Sequence, residues 1–379
     1  MKILMALTYY HPHWTGLTAF AVRLAEGLAA RGNQVTVLTS QYRRDLPREE
    51  VHNGVRVVRV PAVLRLSRGQ VMPGFFGAVN RLVREHDVVQ VHTPMLETAV
   101  VGYLAHRAGR KMLMTHHGDL VMPQGAWNQF VQRTVGYLLN KGAEQADLIS
   151  IYTQDYADHS PFLRPYADKV VPVYPPFSFP RANSEAALAW RRELGLDGAP
   201  LVGFAGRWVE EKGFDYLLEA IPLVRERVPG SKFVFAGETR VVYERFFERC
   251  RPLLEAQREH VIELGLITDP QRMADFYAMC NVFALPSRTD CLASVQVEAM
   301  LSGTPVVATD IPGAREVVRV TGMGRLVPPR DESALAQGLT EVLLNPDSYR
   351  CPYEHITRIF DTDRSIADYE ALLERLARS

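Results

Sequence analysis

Short apolar, β-rich runs alternate with helix-length segments along the whole chain, and this alternation limits the possible folds more than any other feature. KILMAL, at residues 2–7, precedes a segment whose apolar side chains recur at helical spacing from Leu17 to Leu28 and which Gly32 can end. QVTVLTS, VRVVRVP, VVQVH, KMLMTHH and LISIYT follow. Short strands separated by helices predict parallel sheets with helices on both faces.

The second half of the chain repeats this arrangement with LVGFAGR, KFVFAG, VIELG, VFALPS, PVVATD and GRLVPP. Between the halves, the proline-rich segment 170–184 suits an extended connector. A length of 379 residues fits two domains. We therefore predict two doubly wound α/β domains, residues 1–172 and 173–360, and a C-terminal helix at 361–379 that crosses back to the N-terminal domain.

Charge and composition exclude several classes of protein. Lys and Arg number 43, as do Asp and Glu, so nucleic acid is not an expected partner. Residues 1–180 nevertheless carry 19 basic against 13 acidic side chains, which makes the first half basic. The apolar start is too short for a signal peptide, no run approaches a membrane span, and the four cysteines lack zinc-site spacing. These features predict a cytoplasmic protein with buried thiols.

Ligands of such sheets bind in the loops that follow the strands. The first loop, TYYHPHWTGL, contains one glycine and no GxGxxG, which argues against a dinucleotide oxidoreductase. After LVGFAG, Arg207 and Lys212 flank a short loop that leads into a helix. Two cations beside a helix N-terminus suit a diphosphate, although two solvated surface cations would give the same pattern.

The loop after VFALPS contains two carboxylates, Asp290 and Glu298, separated by seven residues. If a helix begins near Ala293, Asp290 precedes it and Glu298 lies about a turn and a half inside. Carboxylates in these positions can accept hydrogen bonds from two hydroxyl-bearing parts of one ligand. Alternatively, Asp290 caps or flanks the helix and Glu298 pairs with a nearby cation.

Taken together, GRWVEEKG, VIELGLITDPQRMADFYAMCNVFALPS and D-x7-E-AM-x-SGTPVVATDIPG resemble glycosyltransferase family 4, of the GT-B fold. YYHPHWTG, AARGNQVTVLTS, VVQVHTP and MTHHGD agree, so the resemblance covers nearly the whole chain. It implies two Rossmann-like domains facing a cleft. It also implies a retaining hexosyltransferase that moves a sugar from a nucleotide diphosphate to a hydroxyl, without a metal or other cofactor.

The same resemblance assigns donor-site residues in the second half. Arg207 and Lys212 would hold the donor diphosphate and Glu298 the ribose. Asp290 stands in place of the glutamate that normally contacts the donor sugar, and its side chain is shorter. Two further groups are implied: the diphosphate-side pair Leu292 and Ala293, which replaces the usual Phe-Gly, and the nucleobase-pairing backbone of Leu264, Gly265 and Leu266.

In the first half, the resemblance assigns the active-site histidine to His117. A neutral imidazole there can hydrogen-bond the donor sugar or polarise a group beside the reacting carbon. Gly16 matches the second glycine of a phosphate-approaching loop, and Thr15 replaces the first. The candidates for the acceptor side are His11, His13, Trp14 and His92, for which ordinary packing is the alternative.

Two other patterns can each be interpreted in two ways. Asp361-Thr-Asp363 resembles a metal-binding DxD, but its place before the last helix indicates an N-cap at Thr362 or Asp363. Residues 61–84 mix arginines, including Arg65 and Arg68, with apolar side chains, and relatives of this kind dock on anionic membranes. The alternative is a sheet-covering helix whose buried face comprises Phe75, Val79, Leu82 and Val83.

The expected donor is a UDP-sugar, with GDP-mannose second, and the expected acceptor is a lipid-linked or polysaccharide precursor. Peripheral contact of the basic N-terminal domain with the inner membrane face would accompany such an acceptor. Two alternatives remain open: a sugar-nucleotide epimerase of the same fold, and a non-catalytic sugar-nucleotide-binding module.

Overall fold

The computed structural model describes residues 1–66, 69–120, 126–239, 241 and 244–379. The chain forms two compact units: unit 1 comprises Met1–Phe177 with Asp361–Ser379, and unit 2 comprises Ser178–Phe360. Arg68, considered above for membrane contact, lies outside the described residues. No helix within these residues is long and apolar enough to cross a membrane.

The strands are β1 Lys2–Ala6, β2 Gln34–Gln41, β3 Glu49–His52, β4 Val55–Pro61, β5 Leu64–Leu66, β6 Gly69–Val71, β7 Val88–Thr93, β8 Lys111–His116, β9 Leu148–Ile151, β10 Val170–Pro172, β11 Leu201–Ala205, β12 Lys232–Ala236, β13 Val261–Gly265, β14 Val282–Leu285, β15 Val306–Thr309 and β16 Gly324–Val327. The helices are α1 Gly16–Ala30, α2 Phe75–Glu85, α3 Thr98–Arg107, α4 Ala126–Gln145, α5 Gln154–His159, α6 Ser184–Glu193, α7 Phe214–Arg227, α8 Phe246–Ala256, α9 Pro270–Met279, α10 Ser294–Leu301, α11 Ala314–Thr321, α12 Glu332–Leu344, α13 Tyr353–Ile359 and α14 Thr362–Arg378.

The sheet of unit 1 has the strand order β10-β9-β8-β7-β1-β2-β4-β3. Seven strands run parallel, and their central members are continuous apolar runs because helices cover both faces. β3 departs from the expected parallel pattern and pairs antiparallel with β4. Asn53 and Gly54, both at positive φ, form the two-residue turn of this hairpin.

The connector predicted at 170–184 is partly regular, because its first residues form β10 and pair with β9. Pro172 is tolerated there since β10 is an edge strand. α2 buries Phe75, Val79, Leu82 and Val83, as the sheet-covering alternative predicted.

α14 belongs to unit 1 and packs closely on α1. A Cβ added at Gly27 would lie 2.3 Å from the Ile366 side chain, and Glu370 accepts a 2.6 Å hydrogen bond from Arg31. The N-cap of α14 is Asp361, which accepts a hydrogen bond from the Arg364 N–H. The prediction of Thr362 or Asp363 as the cap was therefore wrong by one or two positions.

Unit 2 contains a six-stranded parallel sheet with the order β13-β12-β11-β14-β15-β16. The order reverses between β11 and β14, so the loops that follow these two strands diverge and leave a crevice at their carboxyl ends. β1 and β7 form the corresponding point in unit 1. Both places coincide with the loops in which the sequence predicted functional residues.

Candidate active site

In unit 2, the loop after β11 is anchored by Trp208, which is fully buried. Its ring lies 3.7 Å, centroid to centroid, from that of Phe214 at the start of α7, and its backbone N–H donates to Glu238. The loop then forms a 3₁₀ turn, Glu210–Lys212, and enters α7 through Gly213. The positions of Arg207 and Lys212 are therefore fixed by the core of the unit.

Glycines bring the strand ends of this sheet into close contact. Gly213 has φ 64°, and a Cβ there would lie 1.9 Å from the Pro286 carbonyl oxygen in the loop after β14. A Cβ at Gly237, after β12, would lie 2.0 Å from the Gly206 carbonyl oxygen. The Gly237 N–H donates to the Gly265 carbonyl at 2.8 Å. Beyond Gly265, Leu266 is largely exposed, and these residues are the segment predicted to pair with the nucleobase.

Arg288 joins the two loops at the switch point. Its guanidinium donates to Asp215 and to the carbonyl of Glu210, both at 2.5 Å, and its backbone N–H donates to Glu211. Burial lowers the pKa of Arg288, but the charge and hydrogen bond of Asp215 outweigh it and raise the pKa above its ordinary value. Arg288 is thus charged and holds the Glu210–Lys212 turn against the loop that carries Asp290.

Lys212 and Asp290 lie in direct contact, with Nζ 2.6 Å from Oδ2. Their side chains are 22% and 11% exposed, so Lys212 is not one of the two solvated surface cations of the alternative interpretation. Burial lowers the pKa of Lys212, and the carboxylates of Asp290 and Glu211 more than compensate, so the pKa is raised. Arg207, 40% exposed, lies 3.4 Å from Glu211. Both predicted phosphate-binding cations therefore lie beside carboxylates.

α10 begins at Ser294 with Ala293 as its N-cap, and no side chain caps it. The alternative in which Asp290 caps this helix is therefore wrong. Leu292 and Ala293 are both buried. Glu298 lies about a turn and a half inside α10, as predicted, and accepts a 3.1 Å hydrogen bond from the hydroxyl of Tyr277.

In unit 1, His117 follows β8 and contacts two side chains through its ring nitrogens. Nε2 lies 3.0 Å from Nδ1 of His92, and Nδ1 hydrogen-bonds the hydroxyl of Tyr152. The ring of Phe20 packs edge-on against His117, at 4.9 Å between centroids. His92, proposed for the acceptor side, is instead almost fully buried and positions His117.

Both imidazoles are neutral at physiological pH. Burial lowers the pKa of His92 to about 3. Burial is the main cause that lowers the pKa of His117 well below its ordinary value, and the neighbouring imidazoles of His92 and His116 lower it further. Nε2 of His92 is buried and has no hydrogen-bond partner among the described residues. A buried N–H group without an acceptor costs more free energy than a buried nitrogen lone pair without a donor. We therefore infer that the proton of His92 is on Nδ1 and that Nδ1–H donates to Nε2 of His117.

His116 has a structural role beside His117. Its ring hydrogen-bonds Asp119 at 3.0 Å and Thr93 at 3.1 Å, and it stacks on Phe162. Burial raises the pKa of Asp119, but hydrogen bonds from His116 and Ser160 lower it further than burial raises it. This network fixes the backbone on which His117 stands.

Thr15, which replaces a glycine of the family pattern, caps α1 by accepting from the N–H of Thr18. A Cβ added at Gly16 would meet no atom within 4 Å, so the protein itself does not require a glycine there. Among the proposed acceptor residues, His11 stacks on His52, His13 stacks on Tyr9, and Trp14 is 65% exposed. Only Trp14 presents a large free surface.

Within each unit, the structure brings predicted residues together: Lys212 with Asp290, and His117 with His92. The sequence analysis missed Arg288, Tyr277 and Tyr152. Tyr152 directly follows β9, a position that the strand-end rule could have marked. Among the described residues, no three His, Cys, Asp or Glu side chains cluster in a way that could hold a metal ion.

Comparison with known proteins identifies the family of the chain. Residues 15–176 match the model of the glycosyl transferase 4-like domain, and residues 199–345 match that of the glycosyl transferases group 1. The D-inositol 3-phosphate glycosyltransferase of Xylanimonas cellulosilytica is 30% identical over 361 residues, 86% of this chain and 83% of that protein. The GDP-mannose-dependent alpha-(1-6)-phosphatidylinositol monomannoside mannosyltransferase of Mycolicibacterium smegmatis is 27% identical over 336 residues, 84% of each chain.

Solved structures show the same fold. HepE of Anabaena, in complex with UDP and glucose, matches with a TM-score of 0.78 at 20% identity, over 99% of this chain and 100% of that one. Two doubly wound units of this topology are the GT-B fold. The chain belongs to glycosyltransferase family 4.

Proposed function

We propose that this glycosyltransferase moves a sugar, with retention of configuration and without a metal ion, from a UDP-sugar or GDP-mannose to a hydroxyl acceptor. The contact between Lys212 and Asp290 carries this proposal, because it brings a cation and a carboxylate together at the switch point. We assign the cation to the diphosphate and the carboxylate to the sugar. GDP-mannose appears in the name of the mycolicibacterial relative and UDP in the HepE complex, which supports both donors.

Lys212 and Arg207 would bind the two phosphates of the donor and stabilise the negative charge that develops as the diphosphate departs. Glu298, held by Tyr277, would accept hydrogen bonds from the ribose hydroxyls. Asp290 would accept one from a hydroxyl of the donor sugar. A diphosphate entering this site would draw Lys212 from Asp290 and leave the carboxylate available for the sugar.

His117 would contribute as a neutral group. Its Nε2 accepts a hydrogen bond from His92 Nδ1–H, so the proton of His117 is on Nδ1, beside the Tyr152 hydroxyl. In a retaining transfer with front-face attack, the leaving phosphate takes the acceptor's proton, so the protein mainly orients the reactants. His117→Ala should lower turnover much more than nucleotide affinity, and the reverse result would make this residue structural.

A lipid-linked or polysaccharide precursor is the proposed acceptor, at the inner face of the cytoplasmic membrane. The mycolicibacterial relative is named for a phosphatidylinositol mannoside, which supports a lipid-borne hydroxyl. In unit 1, the segment around β5 and the start of α2 expose Val63, Leu64 and Phe76, and the exposed Arg65 adjoins Leu64. Apolar and basic side chains exposed together are typical of peripheral membrane contact.

The first test is thermal unfolding against UDP, GDP, ADP, CMP and their sugar conjugates. A ligand at a hundred times its Kd adds about 2.7 kcal/mol of stability, which gives a measurable shift. Arg207→Ala should weaken the responding nucleotide by about 1.5–3 kcal/mol, the value of a charge-assisted contact. Arg192→Ala, at an exposed arginine of α6, is the matched control. Equal affinity in both variants would remove Arg207 from the site.

Activity then separates the transferase from its alternatives. Slow donor hydrolysis that disappears in Glu298→Ala would contradict a non-catalytic binding module. An altered sugar nucleotide formed without an acceptor would instead identify an epimerase. NMR of the anomeric proton of the product tests retention, and a product with inverted configuration would contradict the proposed mechanism.

A further inference from the structure

Unit 1 contains a basic cavity near the amino end of β8, whereas His117 follows the carboxyl end of the same strand. It lies where α2 and α3 end and β8 begins. The six residues of β8 span roughly 17 Å and separate it from the candidate site at the other end of that strand. The cavity has a volume of about 340 Å³ and is lined by Asn80, Arg84, Leu104, Arg107, Ala108 and Arg110.

The three arginines have no carboxylate partner among the described residues. Acidic side chains of the neighbouring elements are engaged elsewhere. Glu85 lies 3.7 Å from Arg56, Asp87 accepts a hydrogen bond from the Lys2 N–H, and Asp147 pairs with His106 and Lys111 at 3.1 Å. No acidic side chain lines the cavity. Arg84 and Arg107 are exposed and Arg110 is partly buried, so three positive side chains line one opening without a carboxylate from the described residues.

Helix dipoles account for only part of this arrangement. Arg84 and Arg107 lie in the last turns of α2 and α3, where a cation is favourable. Each helix end supplies about half a negative charge, so the two ends offset about one of the three positive charges. Arg110 lies beyond the turn at Gly109, and its Nε is buried without a hydrogen-bond partner among the residues described.

We propose that this cavity binds a phosphate group with two or more negative charges, such as a phosphomonoester or a diphosphate. The guanidinium fork matches two phosphate oxygens, and Asn80 adds an amide group that accepts from Arg84 at 3.2 Å. A ligand with two negative charges would balance the roughly two positive charges that the helix dipoles do not offset. The group belongs either to a soluble phosphate or to a lipid headgroup, and the site is separate from the proposed donor site of unit 2.

Inorganic pyrophosphate is the probe for the soluble case, measured by calorimetry in an Arg207→Ala background in which the proposed donor site is weakened. Adding Arg110→Gln should weaken pyrophosphate at least tenfold, whereas Arg44→Gln, at an exposed arginine of the same unit, should not. Equal affinity in these two double variants overturns the proposal. Failure of the proposed function would appear separately, as unchanged nucleotide binding in Arg207→Ala alone.

Vesicles of phosphatidylcholine with phosphatidic acid, a phosphomonoester lipid, test the membrane source against vesicles with phosphatidylserine. Sedimentation that favours phosphatidic acid and requires Arg110 identifies the headgroup as the ligand. Pyrophosphate binding without that preference identifies a soluble ligand, and absence of both overturns the proposal. Arg110→Lys should retain part of the affinity, and Arg107→Gln replaces Arg110→Gln if the latter fails to fold.

Discussion

Asp290→Asn should tighten nucleotide binding while it slows sugar transfer, because Asp290 holds Lys212 in the absence of a donor. At an effective dielectric constant of about 20, charges 2.6 Å apart attract by about 6 kcal/mol before desolvation and screening. Exposed pairs contribute about 0–1 kcal/mol, and breaking a buried pair costs about 3–5 kcal/mol. With side chains 22% and 11% exposed, this pair lies between the two cases, and we expect about 2 kcal/mol.

Denaturant unfolding of unit 2 should therefore show a loss of about 2 kcal/mol in Asp290→Asn. Burial lowers the pKa of Lys212, but the neighbouring carboxylates raise it by more than burial lowers it. The pKa of Lys212 in the folded protein therefore exceeds its value in the unfolded chain. The stabilisation is then complete below about pH 10 and is lost as the pH rises through the folded pKa.

Calorimetry with the responding nucleoside diphosphate should show at least threefold tighter binding in Asp290→Asn, since Lys212 no longer carries a neutralising partner and the carboxylate no longer repels the phosphates. Sugar transfer should fall at least tenfold, because the carboxylate that accepts a sugar hydroxyl is gone. Weaker nucleotide binding in this variant would refute the reasoning and make Asp290 a support for Lys212.

Asp215→Asn is the matched control. Asp215 pairs with Arg288 at 2.5 Å with similar exposure, so its loss should destabilise unit 2 by a comparable amount. It should leave nucleotide affinity closer to the wild-type value than Asp290→Asn does. If both variants gained nucleotide affinity equally, the gain would come from loosening of the loops and not from the release of Lys212.

Three other predictions follow from the geometry. Gly16→Ala should leave the melting temperature unchanged or slightly raised, because a Cβ meets no atom within 4 Å. It should weaken donor binding, because the added methyl group keeps a phosphate from this backbone. An unchanged donor KM would contradict that role. His92→Gln should flatten the pH dependence of stability below pH 6.5, where the buried imidazole, with its pKa lowered to about 3, costs the wild type about 2 kcal/mol by pH 5. An unaltered slope would mean that His92 accepts a proton in the folded state. Tyr277→Phe should raise the nucleotide KM about fivefold with little change in kcat, since it removes one hydrogen bond to Glu298; a loss confined to kcat would exclude a ribose role.

The strand and helix order followed from hydrophobic periodicity, because buried parallel strands are short apolar runs that loops and helices interrupt. The position of Glu298 inside α10 followed from spacing alone. The β3–β4 hairpin was missed although Asn53-Gly54 is a strong turn sequence, because β3 is short and half-exposed. The local sequence pattern thus predicted the parallel strands and the helices, but not the antiparallel hairpin that departs from them.

The contacts that define the site were beyond local pattern. Lys212 and Asp290 are 78 residues apart, and His92 and His117 are 25 apart. Residue type showed that each could bind a ligand, but only the folded sheet shows which of them neutralise or orient one another. Thr15 is a similar case. In the sequence it stands out only as the replacement of a family glycine, and the structure shows that it caps α1.

The placement of α14 has a consequence for synthesis on the ribosome. Unit 1 starts at Met1 but is completed only by Asp361–Ser379, after all of unit 2 has been translated. At roughly 5–20 residues per second, about 10–40 s separate the emergence of Phe177 from that of the last helix. Until then, the surface of α1 that receives Ile366 stays exposed, whereas unit 2 can fold from a continuous stretch of chain.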